Sequence, residues 1–209
     1  MSLSPAGVSK RRRGRALEEA LLDAAWAELA ERGYDEFTFD SVAARAGTSR
    51  AVLYRRWSSK QELMLAAIKH EAGKDVIVAP DTGSLRGDVI ALLQQANKVR
   101  VTLATQLFTQ LGSFYSQTGI SLADLTAFER GGRNAALDDV IQRAVNRGEI
   151  KQEQITDRIA RLPGDLFRYE ILMTLQPLSD ETIEEIVDTI FLPLVVGTSP
   201  SRPRGAKTS

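Results

Sequence analysis

Residues 37–63 read FTFDSVAARAGTSRAVLYRRWSSKQEL, and this stretch decides the fold. Thr38 stands where a helix N-cap belongs, with Phe37 before it and Val42 four positions after, a hydrophobic-staple spacing that predicts a helix over 39–46. Gly47 offers the backbone freedom that stops this helix. Ser49 is placed to cap a third helix over 50–56, and Ser59 with Glu62 forms a capping box opening a fourth over 60–74. Two short helices joined at Gly47-Thr48 make a helix-turn-helix unit. From Ser41 to Gln61 the segment carries Arg45, Arg50, Arg55, Arg56 and Lys60 and no acidic residue, as a phosphate-facing surface requires.

Leu17, Leu21, Leu22, Ala25, Trp26 and Leu29 recur at helical spacing and predict an amphipathic helix over 16–32, ended by Gly33. Residues 76–84, with Pro80, Asp81 and Gly83, break the periodicity and are expected to link two domains. Beyond them only helices are expected, over 85–101, 103–115, 122–146 and 155–176. Pro163-Gly164 should break or kink the last of these, and Ser179 caps a final helix. The fold class is therefore all-α. Residues 15–75 form the front domain and 85–196 the rear one, with 1–14 a flexible basic arm and 197–209 a disordered tail.

Charge follows the same division. The chain has 27 basic and 27 acidic residues and no net charge, yet residues 1–74 carry 13 Lys and Arg against 10 Asp and Glu, while 75–196 carry 11 against 17. The front is the candidate partner of a polyanion. No cysteine is present and His70 is the single histidine, so thiol chemistry and Cys-ligated or multi-histidine metal sites are excluded. Without a Gly-rich phosphate loop either, no enzyme, cofactor or metal is expected. No apolar run is long enough to span a bilayer, so a cytoplasmic protein without membrane contact is expected.

In the segment 50–56, Leu53 and Trp57 are four apart and suit a core-facing side, which leaves Arg50, Ala51, Val52, Tyr54, Arg55 and Arg56 outside. Arg50, at the helix start, is the first candidate for a two-pronged contact to guanine. Ala51 permits close approach and Val52 suits a thymine methyl, while Thr38, Tyr54 and Lys60 suit backbone phosphates. Lys10 to Arg15 form a basic cluster for which two readings stay open, a minor-groove arm and a solubilising tail.

The residues 24–34, then Phe37-Thr38-Phe39, Val42 to Ser49, Leu53 to Trp57 and Ser58 to Leu63 resemble the DNA-binding domain of TetR-family transcriptional regulators. The resemblance covers about residues 13–67. It implies a homodimer with a three-helix DNA-binding head and a C-terminal helical domain for ligand binding and dimerisation. It also implies DNA contacts at Thr38, Arg50, Ala51, Tyr54, Arg55, Arg56 and Lys60. Trp57 departs from a usual phenylalanine, Ser58 from a common proline and Arg55 from a common aromatic residue. The last departure bears on which sequence is read.

The expected partners are thus double-stranded DNA, a second copy of the chain and a small-molecule effector of unknown identity. Effector candidates are Phe108, Phe114, Tyr115, Phe128, Phe167, Tyr169 and Met173, with Gln94, Asn97, Gln106 and Gln110 as polar fixers; ordinary core packing is the competing reading of these aromatic residues. A dimer seam is expected at Phe167, Ile171, Leu175, Ile183, Val187 and Ile190, within an apolar stripe that runs to Leu194. The leading expectation is a repressor released by its effector. The alternative is a DNA-binding regulator, activating or architectural, with no effector.

Overall fold

The computed structural model describes residues 6–121, 124 and 135–196. Its regular elements are helical: α1 (Ala6–Glu36), α2 (Phe39–Arg45), α3 (Arg50–Tyr54), α4 (Lys60–Ala72), α5 (Leu85–Gln110), α6 (Gly112–Thr118), α7 (Ala135–Asn146), α8 (Asp157–Thr174) and α9 (Asp180–Glu185). A single 3-10 turn, Gln152–Gln154, precedes α8. After α9 the chain passes through a π-helical stretch, Ile186–Phe191, into α10 (Leu192–Val196). Two compact units are present among these residues: 6–76 with 102–121 and 124, and 77–101 with 135–196. No described helix is long and apolar enough to cross a membrane.

The first unit is built on α1. Leu21, Ala25, Trp26 and Leu29 line its buried face and join Phe37, Val42, Leu53, Trp57, Leu63, Met64, Ala67 and Ile68 from α2 to α4 in one cluster. The apolar positions repeat every three to four residues because this is how a 3.6-residue turn keeps one stripe inward. Helical backbone extends back to Ala6, so residues 6–14, expected as an unstructured arm, continue α1; lysine, arginine and alanine are all good helix formers. Gly33 interrupts the helix with φ 74° and ψ 178°. The positive φ calls for glycine; a Cβ there would stand 3.1 Å from Gln110 Oε1, the end of a flexible side chain, and 3.4 Å from its carbonyl.

One expected division does not occur, and a site expected to break or kink its helix does not end it. A division between 101 and 103 is absent: α5 runs unbroken from Leu85 to Gln110, since neither glycine nor proline lies there to end it. Helix α8 likewise continues through Pro163-Gly164, with both residues buried, so the proline deprives one carbonyl of its donor without ending the helix. Of the helix expected over 122–146, the part before Ala135 lies almost wholly outside the described residues.

In the second unit, Leu85, Val89, Leu92 and Leu93 of α5 are buried, as are Leu137, Val140 and Ile141 of α7, Phe167 and Ile171 of α8, and Ile183, Val187 and Phe191 further on. Polar clamps fasten its loops. The fully buried Asp88 accepts from the Thr82 N–H at 2.5 Å, the Thr82 hydroxyl at 2.8 Å and Arg147 Nη2 at 3.0 Å. Glu149 accepts from the Leu85 N–H at 2.7 Å and from Arg147 Nε at 2.5 Å. Burial pushes the Asp88 carboxyl up, but the Thr82 hydrogen bonds and the Arg147 charge outweigh it and hold the group below its ordinary value.

Candidate nucleic-acid interface

The helix-turn-helix is positioned by its caps. Thr38 Oγ1 accepts from the Ser41 N–H at 3.0 Å while Ser41 Oγ accepts from the Thr38 N–H at 3.0 Å, a reciprocal pair that begins α2. At the other end the Gly47 N–H reaches the Ala44 carbonyl at 3.2 Å and the Thr48 N–H reaches that of Ala43 at 3.0 Å. This is a Schellman closure, and it needs the positive φ of 62° that Gly47 supplies. Ser49 takes the N-cap position of α3, but its side chain makes no capping hydrogen bond, contrary to expectation; its carbonyl accepts from the Val52 N–H at 3.0 Å. Ser59 Oγ accepts from the Glu62 N–H at 3.1 Å. The Glu62 carboxylate passes Ser59 by and accepts instead from the Ser58 N–H and hydroxyl, both at 2.7 Å, which holds it below its ordinary pKa.

Leu53 is fully buried and Trp57 nearly so, and together they hold α3 from behind. Arg50, Ala51, Tyr54 and Arg55 are exposed. Tyr54 is fixed by a stack on buried Phe39, centroids 4.2 Å apart and planes within 14°, which keeps its ring on the outer surface while more than half exposed. Val52 is half-buried and packs against the core cluster, which leaves only part of the methyl contact expected of it. Arg56 is also half-buried, and its Nη1 donates to the Val52 carbonyl at 3.4 Å. Thr38 is exposed at the start of α2.

The cations do not act alike. Arg45 is turned inward: its Nε donates to Glu28 Oε2 at 2.7 Å and its Nη1 to Glu31 Oε1 at 3.0 Å, with Nη2 on the other Glu31 oxygen. The hydrogen bonds it donates to Glu31 and Glu28 push the guanidinium pKa up, and Arg45 in turn holds Glu31 down. The five-cation segment thus loses one charge to a clamp between α1 and α2. Lys60 Nζ stands 3.9 Å above the Tyr34 ring centroid, half-buried, and desolvation lowers its pKa. Arg50 Nε lies 2.9 Å from Asp40 Oδ1, both side chains more than half exposed. None of these three pairings was legible beforehand, because each joins residues on different elements.

The other predicted residues scatter. In the first unit Phe114 is buried edge-to-face against Tyr34 at 5.1 Å, the Tyr115 hydroxyl donates to the Leu107 carbonyl at 2.9 Å, Gln106 and Gln110 are half-buried and Phe108 is exposed. In the second, Gln94 donates to Asp180 at 2.9 Å, and Asn97 both donates to the Leu178 carbonyl at 2.8 Å and accepts from the Leu178 N–H at 2.9 Å. The two amides therefore hold the start of α9 and the residue two before it. Phe167, Ile171, Ile183 and Val187 are buried inside this unit and Leu175 is half-buried. The large apolar groups left exposed on α8 and the last helical stretch are Tyr169, Met173, Ile190, Leu194 and Val196. Phe128 lies outside the described residues. His70 bonds Asp23 Oδ1 at 2.9 Å, which Lys74 also meets at 2.8 Å; Lys74 first, then His70, lower the Asp23 pKa.

Comparison with known proteins converges on one group. The profile described as "Bacterial regulatory proteins, tetR family" matches residues 21–67, and that described as "Tetracyclin repressor-like, C-terminal domain" matches 79–190. The chain is 34% identical over 189 residues to the DNA-binding transcriptional repressor TetR of Mycobacteroides abscessus, covering 88% of this chain and 96% of that one. It is 36% identical over 175 residues to an uncharacterised HTH-type transcriptional regulator of Mycobacterium tuberculosis, covering 79% and 81%. A tetR-family transcriptional regulator from Streptomyces coelicolor shares the fold, with a TM-score of 0.62 at 20% identity over 86% of this chain and 80% of that one.

Proposed function

The chain belongs to the TetR family of DNA-binding transcriptional regulators, not to any class of enzyme, and from that premise we propose that it is a homodimeric repressor freed from its operator by a small molecule. One observation carries the DNA reading: Leu53 and Trp57 are buried behind a five-residue helix whose Arg50, Ala51, Tyr54 and Arg55 all face outward. A helix of this kind enters the major groove end-first, Arg50 to base edges, with Thr38, Tyr54, Arg55, Arg56 and Lys60 nearer the phosphates.

Dimerisation is supported by Tyr169, Met173, Ile190 and Leu194, large apolar groups left exposed on α8 and the last helical stretch. Two heads then meet half-sites about 34–36 Å apart. An effector releases DNA only in so far as it prefers the conformation that does not bind; equal affinity for both shifts nothing.

A second reading, a regulator without an effector, draws on the engagement of Gln94 and Asn97 in internal hydrogen bonds and of Phe114 and Phe167 in the two cores. The test begins with selection of duplexes from a random pool by the purified full chain. An enriched, near-palindromic sequence bound at two subunits per duplex supports the repressor dimer. No enrichment at moderate salt rejects it. A metabolite screen for loss of the selected complex then separates the two readings.

A further inference from the structure

The segment without acidic residues begins at Ser41, and the residue just before it is Asp40, which the turn between α2 and α3 brings back to Arg50 at 2.9 Å. We propose that Asp40 is a positioning residue for base reading: by occupying the Nε edge of Arg50 it directs the two terminal nitrogens of the guanidinium at one guanine. The proposal rests on α3 being the recognition helix.

A carboxylate on this face needs a reason, because near phosphates it weakens binding to every duplex. Service to the α2 helix start is a weak one. Thr38 and Ser41 already cap that end reciprocally, and a negative charge in the first turn adds little where both groups are exposed. Arg50 supplies a stronger reason. Its side chain is 56% exposed on a long, freely rotating stem, and every rotamer lost on contacting a base opposes binding.

The atoms paired decide what the pairing does. An arginine offers two forks to the O6 and N7 of guanine, one from Nε with a terminal nitrogen and one from the two terminal nitrogens. Asp40 Oδ1 sits at Nε, which removes the first fork and leaves the second pointing away from the carboxylate. Asp40 also penalises complexes in which Arg50 makes only phosphate contacts, since its charge then faces the backbone without a seated arginine. Discrimination is gained by weakening the wrong complex as well as by strengthening the right one.

The experiment uses the full chain with the duplex enriched from a random pool and a scrambled duplex of the same composition. Asp40→Asn is expected to bind the scrambled duplex about threefold more tightly while the selected-to-scrambled affinity ratio falls about tenfold. The loss should concentrate at one G·C pair and add nothing in an Arg50→Ala background. Asp40→Ser, a residue at home in a first helical turn, should behave alike. Both variants gaining affinity equally for the two duplexes, with the wild-type base preference intact and Arg50→Ala alone losing it, would overturn the positioning role while leaving the recognition helix standing. A wild-type chain that enriches no sequence would overturn both.

Discussion

Arg45 and Glu28 are 17 residues apart and on different helices, yet Arg45 Nε donates to Glu28 at 2.7 Å with the carboxylate almost wholly buried. Arg32 approaches the other Glu28 oxygen at 3.4 Å, and Glu31 closes on the far side of Arg45. This cluster orients α2 on α1, so a residue that looks like a phosphate contact is a fastener of the head. Replacing it leaves the buried carboxylate with only the longer Arg32 contact to offset its desolvation. Arg45→Ala should lower the melting temperature by about 4 °C, followed by circular dichroism. The salt slope of DNA binding should stay unchanged, and a slope reduced by about one unit would instead place Arg45 on a phosphate.

Arg50→Ala should cost about 1–3 kcal/mol on the selected duplex and far less on the scrambled one. Lys60→Ala should weaken both alike and lower the salt slope by about one. Titrations at three or four salt concentrations check both variants. Equal losses on the two sequences for Arg50→Ala would take it out of base reading.

On the proposed dimer, Leu194→Asp should give monomers, because it puts a charge into the exposed apolar surface of the last helix. Sedimentation velocity reads the change, and affinity for the two-half-site duplex should fall with it. A variant that stays dimeric moves the seam elsewhere.

Acid should remove part of the stability through Asp88. Its carboxyl titrates below the ordinary 3.8 in the folded chain, so the unfolded chain binds the proton at higher pH. The stabilisation is therefore complete above about 4 and is lost as pH falls through the lower folded value. Asp88→Asn should cost about 2 kcal/mol at neutral pH, and the gap from wild type should close progressively below pH 4. Denaturant melts across that range check it, and a constant gap would mean that charge plays no part.

What was legible in the sequence was local. Thr38, Gly47 and Ser59 act within four residues of themselves, so spacing alone announced the ends of α2 and the start of α4. The core-facing pair Leu53 and Trp57 followed from one helical turn. Arg45 with Glu28, Arg50 with Asp40 and Lys60 over Tyr34 depend on how helices cross, which no short window contains. Asn97 reads as a free amide until the chain 81 residues later returns to use both of its polar atoms. The stripe over 183–194 looked continuous because a uniform α-helix was assumed; the π-helical turn separates buried Ile183, Val187, Phe191 and Val195 from exposed Ile190 and Leu194.

That turn sets the phase of the chain's last segment. An α-helix advances about 100° per residue, so contacts repeated at every fourth position drift around its axis, whereas a wider turn slows the advance and keeps Ile183, Val187, Phe191 and Val195 in a single file. The register is thereby one residue from its alternative. Deleting a single amino acid between Asp188 and Ile190 would let an ordinary helix re-form with Phe191 and Val195 still in phase with Ile183, whereas tightening the turn at full length would rotate everything beyond it and bring Ile190 and Leu194 inward in their place.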